Sequence, residues 1–319
     1  MDKIRFGIAI FRSILMSTND TTRLTPECIM PVSLEAGDIC IAASYSVGEP
    51  DIRRNSGAGR VLVYDRNLNL KGALWTDEEG LIIGLEYCRT SKTLFVSDVS
   101  SQTVKRFSLN GAMLPSFAAM QGKPFGVIAA MADGSIVIGE HIKGDKFPFI
   151  GGGEIYQFDG EGVLQHHFAA AHDPGKFGFH GVTSMVLAAD KTALYISETG
   201  RRVMQYDLAN DRQLEDLFVL ADDEEKSTAG IALTPDGNIL MATVYGVSLF
   251  SSTGDLLREY DIPKEKGWSA IRISQDGTVF FVANFFTGRL EKRSLETGEI
   301  IAATDTSLIY RLASIAEIS

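Results

Sequence analysis

The chain has 319 residues, with Lys+Arg 30 against Asp+Glu 41 for a formal net charge of −11, and 3 cysteines. That balance argues against nucleic acid or an anionic membrane as partner, since either requires a local basic patch and none is present. An odd cysteine count (Cys28, Cys40, Cys88) without metal-type spacing argues against a disulfide framework and reads as buried free thiols of a reducing compartment.

Residues 1–30 read as an N-terminal extension or packing segment. Phe6 to Phe11 is apolar, but Arg12 ends the run, no small-x-small cleavage site follows, and no later stretch approaches a membrane span. The expected location is cytoplasmic, with no membrane association.

From residue 31 onward the chain reads as one domain built from a repeat. The clearest unit is TAGIALTPDGNILMATVYGVSLFSSTGDLLREYDI, residues 228–262. Thr228-Ala229-Gly230 leads into an alternating strand, and Pro235-Asp236-Gly237 combines a φ-restricted with a φ-permissive residue, as a tight turn requires. Ile239 to Val244 is apolar on both faces, which suits a strand buried between two sheets. Val247 to Phe250 is stopped by Ser252-Thr253-Gly254, and Leu256 to Ile262 completes a four-strand meander. Small residues at matching places, Gly84, Gly126, Thr183, Ala229, Ser269 and Ala313, are spaced 42, 57, 46, 40 and 44 apart. A period in the forties with four short strands per unit is the pattern of propeller blades.

Second strands align as ICIA, LFV, IVI, LYI, ILM and VFFV, and third strands as RVLVYD, TVKRFS, EIYQFD, RVMQYD, VSLFSS and RLEKRS. Six such pairs predict an all-β, six-bladed β-propeller over residues 31–319. The first blade lacks its own inner strand while Tyr310 to Ile318 is left over, so the C-terminal strand is expected to close the ring and cover the open edge.

The units PDGNILMATVYGVSLFSSTGDLL and DKTALYISETGRRVMQYDLAND resemble those of NHL-repeat propellers and of the senescence marker protein/gluconolactonase superfamily, along residues 38–319. The resemblance implies a lactonase-like activity and a divalent metal held by a first-blade glutamate and by asparagine and aspartate at inner-strand starts. At those starts this chain has His180-Gly181 and Ala229-Gly230, and no first-blade glutamate matches. A histidine-containing site would favour zinc or a softer transition metal over calcium.

The two faces of such a ring differ in this sequence. One has only short turns, such as Ala132-Asp133-Gly134 and Gln275-Asp276-Gly277. The other carries the long connections Tyr45 to Ala58, His141 to Gly152 and Ala171 to His180, and binding residues concentrate on long loops over a rigid scaffold. Those connections hold His141, His172 and His180, with Glu140 beside them and Phe147, Phe149, Phe177 and Phe179 to exclude water. Second-strand ends add Ser44, Asp98, Glu140, Glu198, Thr243 and Asn284 at the same mouth. Converging carboxylates there can bind a cation through oxygen, or each can satisfy a hydrogen bond within its own blade. His166 and His167 fall in an outer strand and read as solvent-exposed.

The expectation is a small-molecule hydrolase or lyase at the loop-rich mouth. His180 and His141 are the candidate bases, with Glu140 and Glu198 to orient them. His180, His141 and Glu198 are the candidate ligands of one divalent metal ion. Arg54, Phe147, Phe177, Asn284 and Trp268 are the expected substrate contacts. The competing expectation is a non-catalytic propeller that binds a protein or small ligand on the same face.

Overall fold

A short strand that is apolar at every position needs a sheet on either side of it. Ile39–Ala43, Thr93–Asp98, Thr192–Ile196 and Ile239–Thr243 are buried throughout, whereas the outer Leu256–Glu259 is exposed throughout. A ring of radially packed sheets gives every second strand two neighbours. The computed structural model describes residues 21, 24–26, 32–45, 57–119, 123–142, 152–173, 180–221 and 227–319.

They form six antiparallel blades around a central axis. From the axis outward, blade 2 runs Ile82–Cys88, Thr93–Asp98, Thr103–Ser108 and Met113–Ala119, and blade 3 runs Phe125–Ala130, Ile136–Ile142, Ile155–Phe158 and Leu164–Phe168. Blade 4 has Ser184–Leu187, Thr192–Ile196 and Arg202–Asp207, with its outer position shared by two-residue pieces, Arg212–Gln213 and Phe218–Val219. Blade 5 runs Thr228–Leu233, Ile239–Thr243, Gly246–Phe250 and Leu256–Glu259, and blade 6 runs Trp268–Ile273, Val279–Asn284, Arg289–Ser294 and Ile300–Asp305.

Blade 1 closes the ring. Its inner strand is the C-terminal Leu312–Glu317, paired antiparallel with Ile39–Ala43, and Ala58–Tyr64 and Leu70–Glu79 lie outside. The first and last of the described strands are thus held in one sheet, as the leftover C-terminal strand predicts.

The core is six wedges, one between each pair of neighbouring blades. Alternate residues of a second strand face opposite sides. Ile39 and Ile41 pack with Phe281 and Leu290 of blade 6, while Cys40 and Ala42 pack with Leu85 and Val96 of blade 2. The same division recurs around the ring.

Close approach of inner strands needs glycine. A Cβ on Gly84 would lie 2.1 Å from the Gly126 carbonyl oxygen, and one on Gly230 would lie 2.2 Å from that of Ser269. Thr21 and Leu24 seal the outside of the seam between blades 6 and 1. Arg60 is 1% exposed, and its guanidinium donates to the carbonyls of Ala43 (2.8 Å), Thr21 (3.3 Å) and Leu24 (3.2 Å). Among the described residues no helix is long and apolar enough to cross a membrane.

Candidate functional site

Inner strands begin, and second strands end, at the face that carries the long connections. The side chains at the second-strand ends are mostly turned into their own surroundings. Ser44 Oγ accepts from Ile82 N–H at 2.8 Å. Asp98 Oδ1 accepts from the backbone N–H groups of Leu81 (3.0 Å), Ser100 (3.0 Å) and Ser101 (3.3 Å). Burial raises the Asp98 carboxyl above its ordinary value, against the opposing pull of those N–H groups. Asn284 Oδ1 accepts from Phe286 and Thr287 N–H at 2.9 and 3.0 Å. Asp98 and Asn284 thus organise turns of their own blades, whereas Ser44 ties blade 1 to the start of blade 2. Glu198 lies in the turn after Thr192–Ile196 and is partly exposed.

Glu140 sits at the centre of a charged network that spans blade 3 from inner to outer strand. Its carboxylate is fully buried, and Oε2 accepts from Gly152 N–H (2.9 Å), Glu154 N–H (3.3 Å) and the Tyr156 hydroxyl (3.4 Å). Lys123 Nζ lies 3.6 Å from Glu140 Oε1 and 3.5 Å from Glu154 Oε2. Tyr156 also donates to Glu154 Oε2 at 2.7 Å, and His167 Nε2 meets the same oxygen at 2.7 Å while its ring stacks on Tyr156. Burial alone would raise the Glu154 carboxyl, but hydrogen bonds from Tyr156 and His167 and the nearby His167 and Lys123 charges bring it below its ordinary value. His167 is on the exposed outer strand, as expected, and nevertheless contacts the Glu154 carboxylate.

His141 and His180 come from adjacent strands. His180–Gly181 pairs with the end of Ile136–Ile142, His180 opposite Ile142 and Gly181 opposite His141. With side chains alternating along a strand, His180 shares a face with Ile142 and His141 lies on the other. His141 is buried, its imidazole covering Gly126, where an added Cβ would lie 2.0 Å from the ring. His180 is partly exposed. Among the described residues no group of three or more His, Cys, Asp or Glu is placed to hold a metal ion.

Buried side-chain atoms without a hydrogen-bond partner are concentrated at this mouth. Asp98 Oδ2, Glu140 Oε1, His172 Nδ1, His180 Nδ1 and Asn284 Nδ2 belong to it, and Tyr64 hydroxyl lies elsewhere. Buried polar atoms are normally satisfied, so such a concentration marks a place where something else can supply the partner.

The same face is aromatic over blades 6 and 1. Phe285, Phe286 and Tyr310 form a mutual cluster with ring centroids 5.4 to 5.8 Å apart. Tyr45 and Trp75 flank Arg60 at 5.5 and 5.6 Å. Trp268 has no exposed surface, and its indole N–H donates to Pro263 carbonyl at 2.9 Å within the wedge between blades 5 and 6. Arg54, Phe147 and Phe177 lie outside the described residues.

Sequence reading did not single out Lys123, Glu154, Tyr156 or the second role of His167. They arrive from three different strands or strand starts, and only Glu154 and Tyr156 are linked by a local spacing. EIYQFD registers only as a third strand, although its Glu and Tyr two apart share one face.

No protein-family model matches the chain, and no curated protein does. Among solved structures it is similar to a chain of a nidogen/laminin complex, with 13% identity, a TM-score of 0.64, and coverage of 89% of this chain and 99% of that one. It is similar to streptogramin B lyase with 13% identity, a TM-score of 0.52, and coverage of 70% and 68%. A catalytically inactive histidine-to-alanine variant of virginiamycin B lyase from Staphylococcus aureus, with quinupristin, aligns with 12% identity, a TM-score of 0.52, and coverage of 72% and 71%. At such identities these likenesses establish the propeller fold, and function must be argued from the site.

Proposed function

We propose that the chain is a small-molecule hydrolase or lyase, lactonase-like in reaction type, working at the loop-rich mouth over blades 3 and 4. The observation that carries the reading is the set of buried, unpartnered polar atoms at that mouth, two of them on histidines. His180 is the general base, because it is partly exposed with an imidazole nitrogen still open to a partner. Glu140 and Lys123 set the electrostatics beside it, an anionic oxygen with an ammonium held in place. The aromatic cluster of Phe285, Phe286 and Tyr310 offers an apolar surface to the substrate body, and Arg54, Phe147 and Phe177 belong to the neighbouring connections. A propeller lyase whose histidine-to-alanine variant is catalytically inactive gives the reading a precedent on this architecture.

A binding propeller is the second reading, favoured by that partly exposed aromatic cluster and by the likeness to a chain of a protein–protein complex. A turnover screen of the wild-type chain over lactones, esters and cyclic depsipeptides separates the two. It is run with zinc, with manganese and with chelator, so that a metal requirement is read in the same assay. Saturable turnover of any member supports the enzyme. Silence across the panel, together with a protein ligand whose capture is lost in Phe286→Ala, favours recognition.

A further inference from the structure

Chain continuity carries each blade into the next, and blade 6 runs on into Leu312–Glu317. The joint of the ring that the chain does not cross therefore lies inside blade 1, between Leu312–Glu317 and Ile39–Ala43. Backbone pairing spans it from Ile39 opposite Glu317 to Ala43 opposite Leu312, with a register shift at Ala42/Ala43. Leu312–Glu317 is paired along this one edge only, and such a strand frays unless something else ties it down.

At the short-turn end of the channel a two-pronged ion pair bypasses the joint. Arg272 of blade 6 donates from Nη1 to Oε2 of Glu86 at 2.7 Å and from Nη2 to Oε1 at 3.1 Å, and Glu86 belongs to blade 2. Blade 1 stands between those two blades. From Glu86 the chain passes through blades 3, 4 and 5 to Arg272, so the pair closes blades 2 to 6 on themselves by a route that uses none of the hydrogen bonds of blade 1. By contrast Lys71 with Asp38, Lys123 with Glu140, Arg202 with Asp216, and Arg289 and Arg293 with Glu291 each pair within one blade.

Two shorter ties flank the pair. Ser314 Oγ accepts from Leu85 N–H at 3.2 Å, and Glu317 Oε2 accepts from Gln275 N–H at 2.7 Å, so the closing strand is tied by side chains to blade 2 and to blade 6. The Glu86 charge holds the Arg272 guanidinium above its ordinary value against the cost of burial, and Glu317 of the closing strand adds to it. With 34% of the Arg272 side chain and 11% of the Glu86 side chain exposed, the pair is more sheltered than a surface ion pair, and its fork geometry fixes direction as well as distance.

We infer that the Arg272–Glu86 pair is a latch on the ring: it fixes blade 6 against blade 2 and so keeps Leu312–Glu317 docked on Ile39–Ala43. Blade 6 draws away from blade 1 only when both prongs let go. The latch sits at the end of the channel opposite the loop-rich mouth, so it and the activity proposed there succeed or fail separately.

Hydrogen exchange of the full chain, read on fragments covering residues 312–318 and 228–233, tests the inference. Both fragments are inner strands, and only the first ends at the joint. In wild type the two are expected to exchange at rates within about tenfold of each other, because the latch removes the fraying of the closing strand. Glu86→Gln keeps the shape and loses the charge, and Arg272→Met keeps the stem and loses the fork. Each is expected to speed exchange at 312–318 by at least about tenfold, with a smaller change at 228–233. Arg272→Lys, which keeps the charge without the fork, falls between wild type and Arg272→Met. Exchange at 312–318 that Glu86→Gln and Arg272→Met leave unchanged overturns the inference, as does an equal acceleration at 228–233. So does a wild-type closing strand that exchanges more than about tenfold faster than 228–233, a comparison that stands even where a variant does not fold.

Discussion

Glu154 is a half-exposed carboxylate whose state depends on three neighbours: Tyr156 hydroxyl, His167 imidazole and Lys123 ammonium. Its carboxyl titrates below the ordinary value of 4.5. The sign follows from that depression. The folded chain holds the charged form more tightly than the unfolded chain, so the stabilisation is present above the ordinary value and lost as pH falls through the depressed one. Glu154→Gln is therefore expected to melt below wild type at pH 7, with the gap closing under acid. A melting series from neutral pH down to about pH 3 checks this, and a gap that widens under acid contradicts it. The network around Glu140 was invisible in the sequence because its members are linked by blade 3, not by spacing. His180 was legible for the opposite reason: a histidine directly before a glycine, in a long connection of a protein with few histidines, stands out from the repeat. The turn-organising role of Asp98 and Asn284 was only half legible, since an acid or amide after a buried strand has the same sequence whether it faces the axis or its own turn.

At the scale of elements, the closing blade combines sequence ends that are far apart. Ile315 of the C-terminal strand pairs with Ile41 and packs with the core between blades 1 and 6. Ile315→Ala removes buried methyl groups from that wedge and is expected to destabilise the fold by about 2–5 kcal/mol. Chemical unfolding measures it, and a change no larger than that of an exposed site, such as Ile301→Ala, would mean that the C-terminal strand does not hold the ring. This architecture was legible because the blades repeat one physical instruction, a second strand with an apolar centre reached through a short polar turn, which is Asp-Gly in blades 3, 5 and 6. Blade 4 departs where the repeat weakens. Its outer position is filled by Arg212–Gln213 and Phe218–Val219, because Glu215 and Asp216 interrupt any apolar alternation there. Asp216 instead pairs with Arg202 at 2.6 and 2.9 Å. The seam between blades 6 and 1 was not legible either. Arg60 reads as a strand residue, yet it is buried between Tyr45 and Trp75, and burial lowers its guanidinium to about 10.

At the scale of the whole molecule, two ends of one channel have been given different chemistry by the same connectivity. Blade geometry places the long connections at one mouth and leaves short turns at the other, and the buried side-chain atoms of His172 and His180 without a hydrogen-bond partner gather at the first. The second keeps a cleft lined by Glu86, Arg89, Arg272 and Glu317. The likeness to both a lyase and a chain of a protein–protein complex is one of fold, and chain-wide identity near 13% leaves the choice of function to the site. The most direct measurement is kcat/KM of His180→Ala beside wild type on the best substrate of the turnover screen, with melting temperature taken on the same samples. The account predicts a loss of about 100-fold or more with melting nearly unchanged, the usual scale for removing a general base. Turnover equal to wild type in a folded His180→Ala protein would contradict it and take the histidine out of the chemistry.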